Sequence, residues 1–186
     1  MIQEPAAHLL EHWKEFYLLV GTAAAALVAL LFVAASLGVG ILAKHSDGPT
    51  RTYMSPVAFH FTGALFVSAA ALVPTHTRFS LGVLVGLNAI AGTVYAAFVL
   101  RRLFTDNIAD LADRVCYGIL PLFAYVAGLV AAWLIFRGST HAPEFLAATV
   151  VLLVVVNIRN AWDLLLSMAR RRGEIEARQL NVTPGG

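Results

Sequence analysis

The sequence predicts an all-α integral membrane protein with five transmembrane helices and an N-terminal interfacial amphipathic helix. Hydrophobic residues make up 59% of its 186 residues and charged residues only 13%, whereas a soluble domain carries about 25% charged residues. The mean hydropathy is +0.77. Five apolar segments approach or exceed the roughly 20 residues that cross a bilayer. We therefore expect one membrane domain over residues 1–186.

Residues 1–15 are predicted to form the interfacial helix. Leu9, Leu10 and Trp13 recur at helical spacing, while Glu11 and Lys14 are expected to stay in water. This pattern is typical of a helix that lies in the membrane surface with one face wet.

The first span, 16–43, contains no charged residue. Gly21, Ala25 and Ala29 form a ladder of small residues that lets helix backbones approach closely. The ladder fits a contact within the chain or between copies, and the sequence leaves both open.

The remaining spans are predicted from apolar length and from turn residues. A turn over 44–53 is expected to precede the second span, with Ser55-Pro56 as the helix start, and Pro121 is expected to kink the fourth span. A frayed cytoplasmic tail should follow the fifth. The spans and the tail are 55–73, 80–100, 116–136, 143–168 and 169–186.

The lysines and arginines predict the orientation. With five spans, one side receives Lys14, Arg78 and Arg137. The other receives nine: Lys44, Arg51, Arg101, Arg102, Arg114, Arg170, Arg171, Arg172 and Arg178. Since positive residues favour the cytoplasm, we expect an inner-membrane protein with its N-terminus outside and its C-terminus cytoplasmic. The alanine-rich spans and the preference for arginine over lysine indicate a bacterial source.

The fifth span carries the unusual polar residues. On a helix that advances about 100° per residue, its stripe falls within one arc of about 100°. The stripe consists of Thr149, Arg159, Asn160, Asp163 and Ser167. Together with the stripe, Asn157 and His60 of the second span are predicted to line a polar inner vestibule.

A second interpretation of the stripe is that the fifth helix is simply long. Its 26 residues, 143–168, reach about 39 Å against a hydrocarbon core of about 30 Å. Arg159 would then reach the headgroups, with Asp163 already in water. That explains the arginine but leaves Asn157 and Asn160 unexplained, which favours the vestibule.

Catalysis and cofactors find little support. Haem between helices needs a second histidine at the depth of His60, and the sequence places none there. Asp106, Asp110 and Asp113 fit a solvated face better than a cation site, and the single Cys116 excludes a dithiol centre. We expect no enzyme, no metal or other cofactor and no nucleic-acid partner.

Two functions remain open. The first is a homo-oligomeric channel or transport component for a small cation, surrounded by the lipid bilayer. The alternative is a non-catalytic scaffold or regulatory subunit that binds a partner membrane protein.

Overall fold

The computed structural model describes residues 6–42, 49–105 and 110–182, and nearly all of them are helical. The all-α prediction is confirmed for this part of the chain. The elements are α1 (Ala6–Leu10), a 3-10 turn (Glu11–Trp13), α2 (Lys14–Leu42), α3 (Pro49–Leu72), α4 (Arg78–Thr105), α5 (Leu111–Asp113), a π-helical segment (Arg114–Ile119), α6 (Leu120–Arg137) and α7 (Ala142–Val182).

Four helical stretches are long and apolar enough to cross a membrane. They are His8–Ser36, Arg78–Thr105, Leu111–Arg137 and Ala142–Ser167. The apolar part of α3, Pro56–Leu72, is shorter and reaches about 26 Å at 1.5 Å per residue. The lengths and apolar composition of these helices thus support a membrane-type fold, while the number of crossings, including one by α3, stays a prediction.

One end of the bundle is defined by two hydrogen bonds between elements. The backbone amide of Ala6 donates to the carbonyl of His76 at 2.9 Å. The hydroxyl of Tyr17 donates to the carbonyl of Pro143, also at 2.9 Å. The chain start, the α3–α4 turn and the beginning of α7 therefore lie together, and we call this the His76 end.

The opposite end is defined by contacts of the π-helical segment. The guanidinium of Arg114 lies 5.0 Å from the ring centroid of Phe104, and the hydroxyl of Tyr117 donates to the carbonyl of Asn160. The end of α4, the start of the α5–α6 helix and the middle of α7 therefore lie at one level. We call this the Asp113 end.

The N-terminal helix has the predicted amphipathic character. Leu10 is buried, Leu9 and Trp13 are half-buried, and Glu11 and Lys14 are exposed. The helical turns of this segment continue into α2. Its apolar edge packs on the bundle itself, because Leu10 joins the main hydrophobic core.

The predicted helix start at Ser55-Pro56 was wrong, whereas the span bounds 55–73 stay a prediction. Helix α3 begins at Pro49 rather than at residue 55, so the predicted turn over 44–53 is helical from residue 49 onward, and 43–48 lie outside the described residues. Proline suits the first turn of a helix, where its missing N–H is not needed. Pro56 lies inside α3, where it removes one backbone bond, to the carbonyl of Thr52, without ending the helix.

The tail was also expected to fray, and this expectation was wrong up to residue 182. Helix α7 runs on from the predicted span to Val182. The sequence offers a reason, because Glu174 and Arg178 are spaced i, i+4 and Pro184 is the first proline beyond residue 168.

Candidate functional site

The π-helical segment frees a carbonyl that α7 then satisfies. The amide of Leu120 donates to the carbonyl of Val115, which is the i−5 pattern of a π-helix. The next residue, Pro121, has no N–H to donate. The carbonyl of Cys116 therefore has neither neighbouring amide as a partner, and it accepts a bond from the side-chain amide of Asn160 at 2.9 Å.

Tyr117 completes a reciprocal link between the two helices. Its hydroxyl donates to the backbone carbonyl of Asn160 at 2.8 Å, and both side chains are buried. We call these two bonds the Asn160 lock. A freed carbonyl inside a membrane bundle is costly unless a side chain pairs with it. The lock therefore explains the presence of Asn160, which the interpretation of α7 as simply a long helix does not.

Asn157 and Thr149 also lie inside the bundle. The Asn157 side chain is fully buried, and its amide nitrogen donates to the carbonyl of Leu153 at 2.7 Å. Its Oδ1 has no partner among the described residues. Thr149 is buried and returns its hydroxyl to the carbonyl of Phe145 at 2.9 Å. These two polar groups face the protein rather than lipid.

The other three residues of the predicted stripe are exposed. Arg159, Asp163 and Ser167 lie on the surface of α7, and we call them the α7 polar edge. Arg159 places Nη1 3.5 Å from Oδ1 of Asn160. Both Arg159 and Asp163 lie in the described part of the chain, and no salt bridge joins them there. The charge of Asp113 lies close enough to interact with both.

Distance along the helix places the α7 polar edge near one membrane boundary. Helix α7 begins at Ala142, so Arg159 lies about 26 Å and Asp163 about 32 Å along it. The hydrocarbon core is about 30 Å thick. Since Asp113 shares this level, the exposed charges belong to a charged layer at the Asp113 end and not to the membrane centre.

His60 lies in a separate polar centre. Its Nδ1 is 2.8 Å from the hydroxyl of Tyr125, and both side chains are buried. Tyr125 follows Tyr117 by eight residues on one continuous helix, which is about 12 Å along the axis. The structure therefore separates His60 from Asn160, although the sequence predicts both in one vestibule.

The predicted site residues thus fall into three groups. Three polar side chains of α7 are inside the bundle, three form an exposed edge, and His60 lies deeper with Tyr125. Sequence reasoning missed Tyr125, and the signal was weak, since a tyrosine in an apolar span is ordinary. It noted Pro121 as a kink but did not connect the freed carbonyl with an asparagine on another span.

No family model, no curated protein and no solved structure matches this chain. Within the ranges 6–42, 49–105 and 110–182, no group of three His, Cys, Asp or Glu side chains is placed to hold a metal ion. The function is therefore argued from the geometry alone.

Proposed function

We propose that the chain is a bacterial inner-membrane component that assembles with copies of itself and passes a small monovalent cation. The observation that carries this proposal is the α7 polar edge, Arg159, Asp163 and Ser167, exposed at the Asp113 end. Charged side chains at the boundary of the hydrocarbon core remain in contact with water. Copies that place these edges around one axis would enclose a water-filled mouth.

The chemistry of the edge suits a cation path. Carboxylates arranged in a ring around a pore attract cations and oppose anions, and Asp163 supplies one carboxylate per copy. Arg159 lies four residues earlier on the same side of the helix, where its positive charge is close to the Asp163 carboxylate. With the positive-inside bias, this mouth would face the cytoplasm.

A contact surface for a second copy is offered by α2. Gly21 is used within the chain, because a Cβ at that position would lie 3.1 Å from Cβ of Ser68. Ala25 and Ala29, the next steps of the same ladder, are exposed. Small residues at such spacing let a neighbouring helix approach closely.

The scaffold function has one observation in its favour. Thr149, Asn157 and Asn160 are all buried, and Asn160 serves the fold of the chain itself. The buried polar residues of α7 are then part of the packing of the helices, which a non-conducting regulator needs equally. The two functions differ in whether purified protein conducts.

Ion flux through liposomes separates them. Purified protein in potassium-loaded liposomes should release potassium, and Asp163→Asn should lower that rate because it removes the carboxylate of the mouth. Glu144→Gln is the matched control, since it makes the same change on the same helix at the His76 end, where Glu144 is exposed. Its rate should equal that of the unaltered protein. Absence of flux from an intact oligomer would contradict conduction.

A further inference from the structure

A groove of about 350 Å³ lies between α3 and α4. Phe66 and Leu87 are 43% and 59% exposed at its rim, so in a membrane the groove opens toward lipid. Its lining is mostly apolar and comes from Phe59, Thr62, Gly63, Phe66, Leu84, Leu87 and Asn88. The lining contains no charged side chain.

Two polar side chains line this groove, and since the Thr62 hydroxyl already donates to the carbonyl of Ala58, Asn88 is the one to consider. It lies ten residues into α4, which begins at Arg78, and therefore about 15 Å along the helix. That is near the middle of a hydrocarbon core of about 30 Å. Its side-chain amide makes no hydrogen bond to another described residue. An amide left unpaired in hydrocarbon is costly, so a partner from outside the described chain is expected.

Tyr125 borders the groove from behind. A Cβ placed on Gly63 would lie 3.3 Å from the Tyr125 hydroxyl and 3.2 Å from Oδ1 of Asn88. The absence of a side chain at Gly63 therefore lets the Asn88 amide lie close to the α3 backbone, whereas Tyr125 lies behind the groove and outside its lining. Both are held by the packed helices around them, since Tyr125 is only 1% exposed.

We propose that this groove binds a neutral, lipid-soluble aromatic ketone whose carbonyl oxygen accepts a hydrogen bond from the side-chain amide of Asn88. The uncharged lining suits a neutral molecule, and Phe59 and Phe66 provide faces for an aromatic ring. A cavity of about 150 Å³ already holds benzene, so this larger groove has room for a substituted ring. The site lies mid-membrane and is independent of the charged layer and of cation passage.

A second copy of the chain suits the groove less well. Helices in membranes approach closely over small residues, and here Phe66 and Leu87 project at the rim. A ring that enters between them meets the amide, whereas a helix backbone resting on them does not.

Benzophenone is a suitable probe because it is a neutral diaryl ketone that attaches to nearby C–H groups on irradiation. Purified full-length protein in lipid nanodiscs is irradiated with it, and the adducts are located by peptide mass spectrometry. Adducts should concentrate in the segments 59–66 and 84–88. Adducts spread evenly over the lipid-facing surface would overturn the proposal.

Two variants test the role of the amide. Asn88→Leu should lower the adduct yield at limiting probe about tenfold, since it removes the hydrogen bond. Thr93→Val is the control, because the Thr93 hydroxyl bonds to the carbonyl of Ala89 on its own helix and lies outside the groove. Its yield should be unchanged, and Asn88→Leu should unfold no earlier than the unaltered protein. Equal yields from Asn88→Leu and Thr93→Val, or conversion of an oligomer to monomers by Asn88→Leu, would overturn the proposal.

Discussion

Gly92→Ala is expected to destabilise the bundle by about 3 kcal/mol, at the upper end of the cost of overpacking a core. Gly92 is buried on α4, and a Cβ there would overlap three ring atoms of Tyr125 at less than any normal contact distance. The Tyr125 ring cannot swing away freely, because it is buried and its hydroxyl is paired with His60. The measurement is reversible unfolding in detergent by denaturant titration.

The same helix supplies the control. A Cβ at Gly86 would lie 3.7 Å from Cβ of Ala132, which is ordinary contact. Gly86→Ala should therefore be neutral or stabilise the protein by about 0.5–1 kcal/mol, since alanine favours a helix interior over glycine. If Gly92→Ala behaves like Gly86→Ala, Tyr125 does not occupy the position described, and the polar centre at His60 is placed wrongly.

Asn160→Leu is expected to lower the free energy of unfolding by about 1–3 kcal/mol. The change removes the donor that satisfies the Cys116 carbonyl, and a buried acceptor left without a partner costs that amount. Pro121→Ala restores an N–H near that carbonyl. The double variant should therefore lose less than Asn160→Leu alone, with a coupling energy of at least about 0.5 kcal/mol.

Asn157→Leu, which lies about one helical turn before Asn160, is expected to have the opposite effect on stability. The Asn157 side chain pairs only with its own helix, and its Oδ1 is buried without a partner among the described residues. Replacing it with leucine removes that cost, so stability should stay equal or rise. Equal losses from Asn157→Leu and Asn160→Leu, or strict additivity with Pro121→Ala, would contradict the Asn160 lock.

The helical content and the apolar helices could be predicted because length and hydropathy report directly on membrane insertion. The helix starts could not all be predicted. Pro49 and Pro56 both suit a first turn, and nothing local to the sequence selects between them. The tail was predicted wrongly because a polar composition favours a frayed end, although Glu174 and Arg178 have helical spacing.

The face that α7 buries was harder to predict, because lipid is about as apolar as a protein core. A hydrophobic stripe therefore does not tell which side of a membrane helix is buried. Val150 lies outside the polar stripe that contains Thr149, yet both are buried, whereas Arg159 of that stripe is exposed. The burial of Asn160 depends on a carbonyl freed on α6 by Pro121, a relation between distant segments that no local pattern contains.

The orientation of the chain in the membrane depends on whether α3 crosses it. If α3 spans, the chain has five crossings, and the His76 end and the tail lie on opposite sides. If α3 does not span, the chain has four crossings, and its two termini lie on the same side of the membrane.

Cysteine labelling in intact cells tests the crossing by α3 most directly. Single cysteines replace Thr75, Thr140 or Glu176 in a Cys116→Ala background. Thr75 and Thr140 lie in the turns of the His76 end, and both are exposed. Both should react with a membrane-impermeant maleimide from outside, and Glu176→Cys should react only after permeabilisation. External labelling of Glu176→Cys, or protection of Thr75→Cys until permeabilisation, would contradict five crossings with the C-terminus in the cytoplasm.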